Sequence, residues 1–269
     1  MGYAKLFIRF IAVISLIPSI SVSAISKPNS NGSYYVSAHY NPTLCKFFNF
    51  EIAEAYQKTI LSHGYKTDSS VVNELQGTNF NVSNFQFNYK DNLLLAFSSA
   101  VGYKKNNGSR IEFEVGYEKF NTKTDTEYQN EDAYKIIALK RSSYLQHADY
   151  ITVKIDAITT VSLMANLCYD LHISKVVPYA CAGIGSNIVH ITQNYVVPKF
   201  SYQAKAGINF SVNPKTSIFL GGFYHSILDK TYNGIPANMP KNLFCSFNGV
   251  VATFDLSYFG GEVGVRFIL

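Results

Sequence analysis

Hydrophobic and polar residues alternate with a period of two along most of this chain. In 151–170 the odd positions run Ile151, Val153, Ile155, Ala157, Thr159, Val161, Leu163, Ala165, Leu167 and Tyr169. The even positions carry Thr152, Lys154, Asp156, Thr160, Ser162, Asn166 and Asp170 among them. A strand sorts such residues onto two faces, whereas a helix would scatter them around its axis. The pattern predicts one strand of about twenty residues, far longer than the ~5–6 usual in globular proteins. The same alternation marks 34–41, 110–118 and 201–212, and more loosely 93–103 and 176–190, while 216–225, one of eight runs in all, carries apolar residues on both faces. In 252–269 the apolar set changes parity. Phe254, Leu256 and Tyr258 are even, while Val263, Val265, Phe267 and Leu269 are odd. Gly260-Gly261 stands at the change, which predicts a bulge there.

The spacers between these runs alternate in length. Short ones fall at Lys104–Gly108, where Asn107-Gly108 signals a hairpin, at His172–Lys175 and at Asn213–Lys215. Long ones cover about 42–91, 121–150, 191–199 and 227–251. Eight strands with tight turns at one end and long loops at the other are the layout of an all-β, transmembrane antiparallel barrel of an outer membrane. Both chain ends then lie on the periplasmic side and the long loops outside. A soluble barrel would show the same periodicity with its faces exchanged. Strand length favours the membrane, and so does the charge carried by the polar face: Arg110, Glu112, Glu114, Glu118, Lys205, Glu262 and Arg266. Opposite charges in a small barrel predict a lumenal network of paired groups.

The N-terminus fits this compartment. Lys5 and Arg9 precede an apolar stretch, and Val22-Ser23-Ala24 satisfies the small-residue cleavage rule. Residues 1–24 therefore read as a signal peptide cut after Ala24, leaving 25–269 as a single barrel domain. No later apolar run is long enough to cross a bilayer as a helix.

Composition narrows the function classes. Charged residues are 15% of the 269, against 20 Tyr and 20 Phe, which excludes a disordered polyampholyte or a coiled coil. The +5 formal charge is scattered without a Lys/Arg run, so nucleic acid is not an expected partner. The six histidines lack metal-ligand spacing, no nucleophile motif is present, and neither a cofactor, a metal nor an enzymatic activity is expected.

Four cysteines remain. Cys168 and Cys181 have equal offsets about Ser174-Lys175, so a tight turn there would set them opposite each other on the inner face. They form either a disulfide, which an oxidising compartment permits, or two buried thiols. Cys45 and Cys245 lie in long loops and could pair with each other, pair with another molecule or stay free. Apolar residues stand at helical spacing in Asn49–Leu61, with a similar pattern in Glu131–Arg141; they read first as loop packed over the barrel mouth, and alternatively as short helices contacting a host surface or a partner subunit.

The last residues read Glu262-Val-Gly264-Val-Arg-Phe267-Ile-Leu269. They resemble the assembly signal of bacterial outer-membrane barrels, with Glu262, Gly264, Phe267 and Leu269 at the matching places and Leu where Phe is usual. The resemblance implies recognition by the barrel assembly machinery. Several blocks, in collinear order, resemble the major surface antigen family of Anaplasma- and Ehrlichia-type rickettsial bacteria. They are GSYYVSAHYNPT (32–43), FFNFEI (47–52), AVGYKKNNGSRIEFEVGYEKF (100–120), VSLMANLCYDL (161–171), PYACAGIG (178–185), FSYQAKAGINFSVNPKTSIFLGGFYH (200–225) and GGEVGVRF (260–267). The resemblance implies an immunodominant outer-membrane barrel in contact with lipid, with exposed loops meeting host-cell surface molecules or antibodies. Some members of the family act as porins, so the alternative function is passage of small hydrophilic solutes, through more strands or through a homo-oligomer.

Overall fold

The structure, a computed structural model, describes residues 32–55, 59–65, 80–83, 87, 89–123, 133–141, 150–172, 176–192, 194–238 and 249–269. The signal peptide with Ala24, Ser174-Lys175 and Cys245 lie outside them. In chain order the strands are β1 (Gly32–Tyr40), β2 (Thr43–Glu54), β3 (Thr59–Tyr65), β4 (Phe80–Ser83), β5 (Phe97–Lys105), β6 (Ser109–Asn121) and β7 (Ile136–Arg141). Then come β8 (Tyr150–Lys154), β9 (Ala157–Asp170), β10 (Val176–Thr192), β11 (Tyr195–Asn213), β12 (Thr216–Ile227), β13 (Thr231–Ile235) and β14 (Val250–Ile268).

Eight of these close a ring in the order β1-β5-β6-β9-β10-β11-β12-β14, and β14 returns to β1. Every pairing is antiparallel. Closure leaves no free sheet edge in the ring, which is what allows strands to lie in lipid. The periplasmic end is made of tight turns. At one of them Gly108, with φ +94°, donates to the Lys105 carbonyl at 3.1 Å. The left-handed backbone there is why Gly closes the hairpin.

Outward positions in the ring are apolar and exposed, as Ile111, Phe113, Leu163, Leu167, Ile184, Leu220 and Val263 show. Inward positions are buried and polar, as Glu112, Glu114, Asn166, Gln203 and Lys205 show. The protein is therefore an outer-membrane β-barrel with lipid outside and a polar lumen.

Above the membrane the same strands invert this arrangement. In β14 the even positions face inward along the whole strand: Val250, Ala252, Phe254, Leu256 and Tyr258 above, Glu262 and Arg266 below. Its register with β12 is unbroken from Phe267 to Ser257, so no bulge stands at Gly260-Gly261. The parity change in the sequence marks a change of surroundings. Where lipid bathes the outside, the outer face is apolar; where water does, the inner face is. A bulge lies instead in β2, where Asn49 has φ +54° and the register with β14 shifts between Thr253 and Asp255.

The predicted strand 151–170 divides for the same reason. Its apolar positions 151 and 153 are buried in β8 and Ile155 is buried just beyond it, whereas in β9 the buried positions are even. Asp156 separates the two elements, which belong to different sheets.

Of the remaining strands, β2 and β13 pair with the upper part of β14, and β4-β3-β7-β8 form a second sheet, drawn from the segments 42–91 and 121–154. Neither segment with helical spacing forms an α-helix over its described residues, and neither is a plain loop. Residues 49–54 end β2 and 59–61 begin β3, and 133–141 are one 3-10 turn followed by β7. The segment 133–140 adds no strand to the ring. Nor is 191–199 a long loop: Thr192 pairs with Tyr195, and β10 and β11 form one hairpin.

Ile137 and Leu139 of β7 and Ile151 and Val153 of β8 are fully buried. They share one apolar cluster with Val189, Ile191, Ile227, Phe254 and Leu256 from the tops of the barrel strands and with Tyr232 of β13. This cap sits at the outer end of the lumen.

Candidate functional site

The lumen begins beneath the cap, and its side chains come from all eight strands because each strand sends alternate residues inward. Lys205 on β11 lies at the centre. Its Nζ donates to Glu114 Oε1 at 2.7 Å and to Glu262 Oε2 at 3.2 Å. Glu114 also accepts from Ser98 (2.7 Å), Asn166 (2.9 Å) and Gln203 (2.9 Å). Tyr179 Oη donates to Glu262 at 2.5 Å, and His39 Nδ1 stands 3.3 Å from the same carboxylate.

A second group lies toward the periplasm. Arg110 is 2% exposed, and its Nε donates to Asp170 Oδ1 at 2.9 Å. Its Nη1 donates to Glu112 Oε2 at 2.8 Å and to Tyr35 Oη at 3.0 Å, while Tyr35 itself donates to Glu112 at 2.7 Å. Lys104 closes the group with an ion pair to Asp170 at 2.9 Å. Asn166 reaches both Glu112 and Glu114 and so joins the two groups into one network.

Five of the seven charged positions expected to line the lumen thus meet in this network: Arg110, Glu112, Glu114, Lys205 and Glu262. Glu118 stands apart at the upper end, accepting from Asn92 (3.0 Å) and Thr43 (3.3 Å). Arg266 also stands apart, packed over the rings of Tyr35 and Phe219 at 5.0 and 5.2 Å. Asp170, Tyr35, His39, Tyr179 and Lys104 are the partners that charge alone did not single out. Asp170 was on the polar parity of its strand, and the tyrosines were hidden by their apolar rings.

Cys168 and Cys181 are opposed in the β9–β10 register and joined, with sulfurs 2.04 Å apart. Glu112 lies near both sulfurs. Those sulfurs are bonded to each other, and Glu112 is engaged by Arg110 and Tyr35, so the trio offers no thiolate to a metal. Cys45 is free and half-buried. Of the C-terminal residues, Glu262 and Gly264 face the lumen, while Phe267 and Leu269 are exposed on the outer side. The Leu269 amide donates to the Tyr34 carbonyl at 3.0 Å.

The outer rim carries two ion pairs, Lys199–Asp229 and Lys230–Asp255, each with one exposed partner, Asp229 and Lys230. A hydrogen bond from Lys199 holds the Asp229 carboxyl below its ordinary value, and one from Lys230 does the same for Asp255. The arrangement as a whole fills the bore of an eight-stranded ring with paired charges and seals its outer end with apolar side chains. Such a ring has room for little besides side chains.

The family model described as surface antigen matches residues 26–269. Major surface antigen 4 of Anaplasma marginale is 35% identical over 239 residues, covering 88% of this chain and 84% of the relative. Among solved structures, Neisserial surface protein A is 14% identical, with 89% of this chain and 100% of that one covered and a TM-score of 0.39. OprG from Pseudomonas aeruginosa is 11% identical, with 89% and 98% covered and a TM-score of 0.49.

Proposed function

Because the chain belongs to the surface antigen family, we propose that it is a closed outer-membrane scaffold that presents its extracellular segments to the host. The presenting segments are 42–91, 121–150 and 227–251, where host-cell surface molecules or antibodies would bind. The mature protein is 25–269, released by cleavage after Ala24 and inserted by the barrel assembly machinery through its C-terminal residues. The observation that carries this reading is the double closure of the bore. Lys205, Glu114 and Glu262 fill its middle with side chains no more than 4% exposed, and the apolar cluster around Phe254 covers its outer end. A solute would have to displace both.

The test is conductance across a planar lipid bilayer with refolded 25–269, its folding checked by the heat-dependent gel shift of intact barrels. The expected result is insertion without current. Discrete, reproducible conductance steps from folded protein would overturn the closed-scaffold reading in favour of a porin. Protease cleavage of intact cells should fall within the three presenting segments.

A further inference from the structure

The lipid-facing belt is uneven around the ring. On β11 the outward apolar residues run from Phe210 to Phe200. At ~3.3 Å per residue and a strand tilt of ~40°, that is about 25 Å along the barrel axis, the height of a membrane band. On β1 and β5, each nine residues long, the outward run reaches only from Tyr34 to Tyr40 and from Tyr103 to Phe97. The same arithmetic gives about 15 Å, well short of that band.

Directly above this short side runs the segment 91–96. Its backbone is held firmly. Asn92 and Thr43 exchange two backbone hydrogen bonds of 2.9 Å, and the Asn41 amide donates to the Ala96 carbonyl at 2.9 Å. The Leu95 amide donates to Asn92 Oδ1 at 3.0 Å, and Tyr40 Oη donates to the Leu93 carbonyl. The three leucine side chains that this backbone carries are nonetheless exposed: Leu93 53%, Leu94 78% and Leu95 45%. Exposed Leu44 lies beside them on the next strand, in register with Phe259. Lys46 places its Nζ over the Phe259 ring, and Lys90 and Asp91 are exposed at the start of the segment, so polar groups border the patch. Three consecutive exposed leucines on an anchored backbone are costly in water and favoured in hydrocarbon.

We propose that Leu93–Leu95 is a membrane-inserting finger whose side chains lie among the acyl chains of the outer leaflet, extending the lipid-facing belt where β1 and β5 fall short. The occupant follows from continuity: the finger joins the lipid-facing residues Tyr40 and Phe97 without a polar break. The finger leads from β4 of the cap sheet into β5 of the ring, so it also ties the extracellular cap to the membrane surface. Lys46 and Lys90 sit at the depth of the headgroups, their stems along the apolar patch and their ammonium groups in water.

The test uses mature 25–269 with Cys45→Ser and Cys245→Ser, carrying a nitroxide at Leu94→Cys and, in a second protein, at Leu93→Cys. Each is refolded into phosphatidylcholine–phosphatidylglycerol vesicles and its folding verified by the gel shift. Collision with oxygen, which concentrates in lipid, is compared with collision with a water-soluble nickel chelate. Labels at Val101→Cys in the belt and Asp255→Cys above it set the two limits. The expected oxygen-to-nickel ratio at the finger is close to that at position 101 and several-fold above that at 255. A ratio equal to that at 255 would overturn the proposal. So would dipolar broadening between labels on separate molecules, which would mean that a second copy covers the leucines.

Discussion

Replacing Lys205 with Met removes the one cation that binds Glu114 and Glu262 together. The side chains of all three residues are no more than 4% exposed, and the contacts are 2.7 and 3.2 Å. Met keeps the volume and the aliphatic stem, so the loss is electrostatic. Breaking a buried pair by removing one partner costs about 3–5 kcal/mol, because the stranded charge stays desolvated. Here two carboxylates are stranded. Neutral donors still reach both: Ser98, Asn166 and Gln203 for Glu114, and Tyr179 for Glu262. Those bonds keep the expected loss within that range. Adding Glu114→Gln and Glu262→Gln to Lys205→Met removes the stranded charges and should restore at least half of it. The measurement is urea unfolding of the refolded barrel in lipid, followed by gel shift and far-UV circular dichroism, with slopes compared across variants. A loss below about 1 kcal/mol for Lys205→Met, the worth of an exposed pair, would refute the reasoning. It would mean that water reaches the network and that the bore is not sealed. A triple variant as unstable as the single one would refute it too, because charge would then not be the cause.

Four further outcomes follow from the same geometry. Phe254→Ala empties a site where that ring stacks on Tyr232 at 4.1 Å and on Phe47 at 4.5 Å. The cap should lose about 3–5 kcal/mol, read as faster proteolysis of the extracellular segments with the barrel gel shift unchanged. Changing Cys168 and Cys181 together to Ser frees a cross-link with a sequence separation of 13 and should lower unfolding stability by about 3 kcal/mol, as reduction of the wild type should. Gly183→Ala drives its new Cβ into the Asn166 carboxamide, which holds Glu112 and Glu114, and should cost about 1–3 kcal/mol in the same urea assay. Asp229, held below its ordinary value by Lys199, stabilises the fold above its unfolded pKa and ceases to as pH falls through the lower folded value. Wild type should thus lose a small increment of stability below about pH 4, small because the carboxylate is mostly exposed, and Asp229→Asn should lose that dependence.

The alternation of residues sorted most ring strands onto two faces, and it put Glu112, Glu114 and Lys205 on the same side as Asn166 and Gln203. Hairpin symmetry about Ser174-Lys175 places Cys168 opposite Cys181, since a tight turn fixes the register of both its strands. Period two, however, separates two faces without saying which solvent each will meet. That is why Phe254 and Phe267, on opposite parities, suggested a bulge at Gly260-Gly261. Both obey one unbroken strand, with water around its upper part and lipid around its lower part. The apolar character of 49–61 and 131–141 was legible, but not that these segments are strands. β2 is paired by β14, and β3 and β7 pair with each other across a long stretch of sequence, and such tertiary pairing outweighs weak helical spacing. The meeting of Lys205 with Glu114, 91 residues apart, was likewise beyond local pattern. Local pattern along the chain specified most of the ring strands, their two faces and their tight turns, because those depend on neighbours along the chain. Only closure of the ring, bringing β14 back to β1, decided which face became the lumen, which charges paired across it and what sealed its outer end.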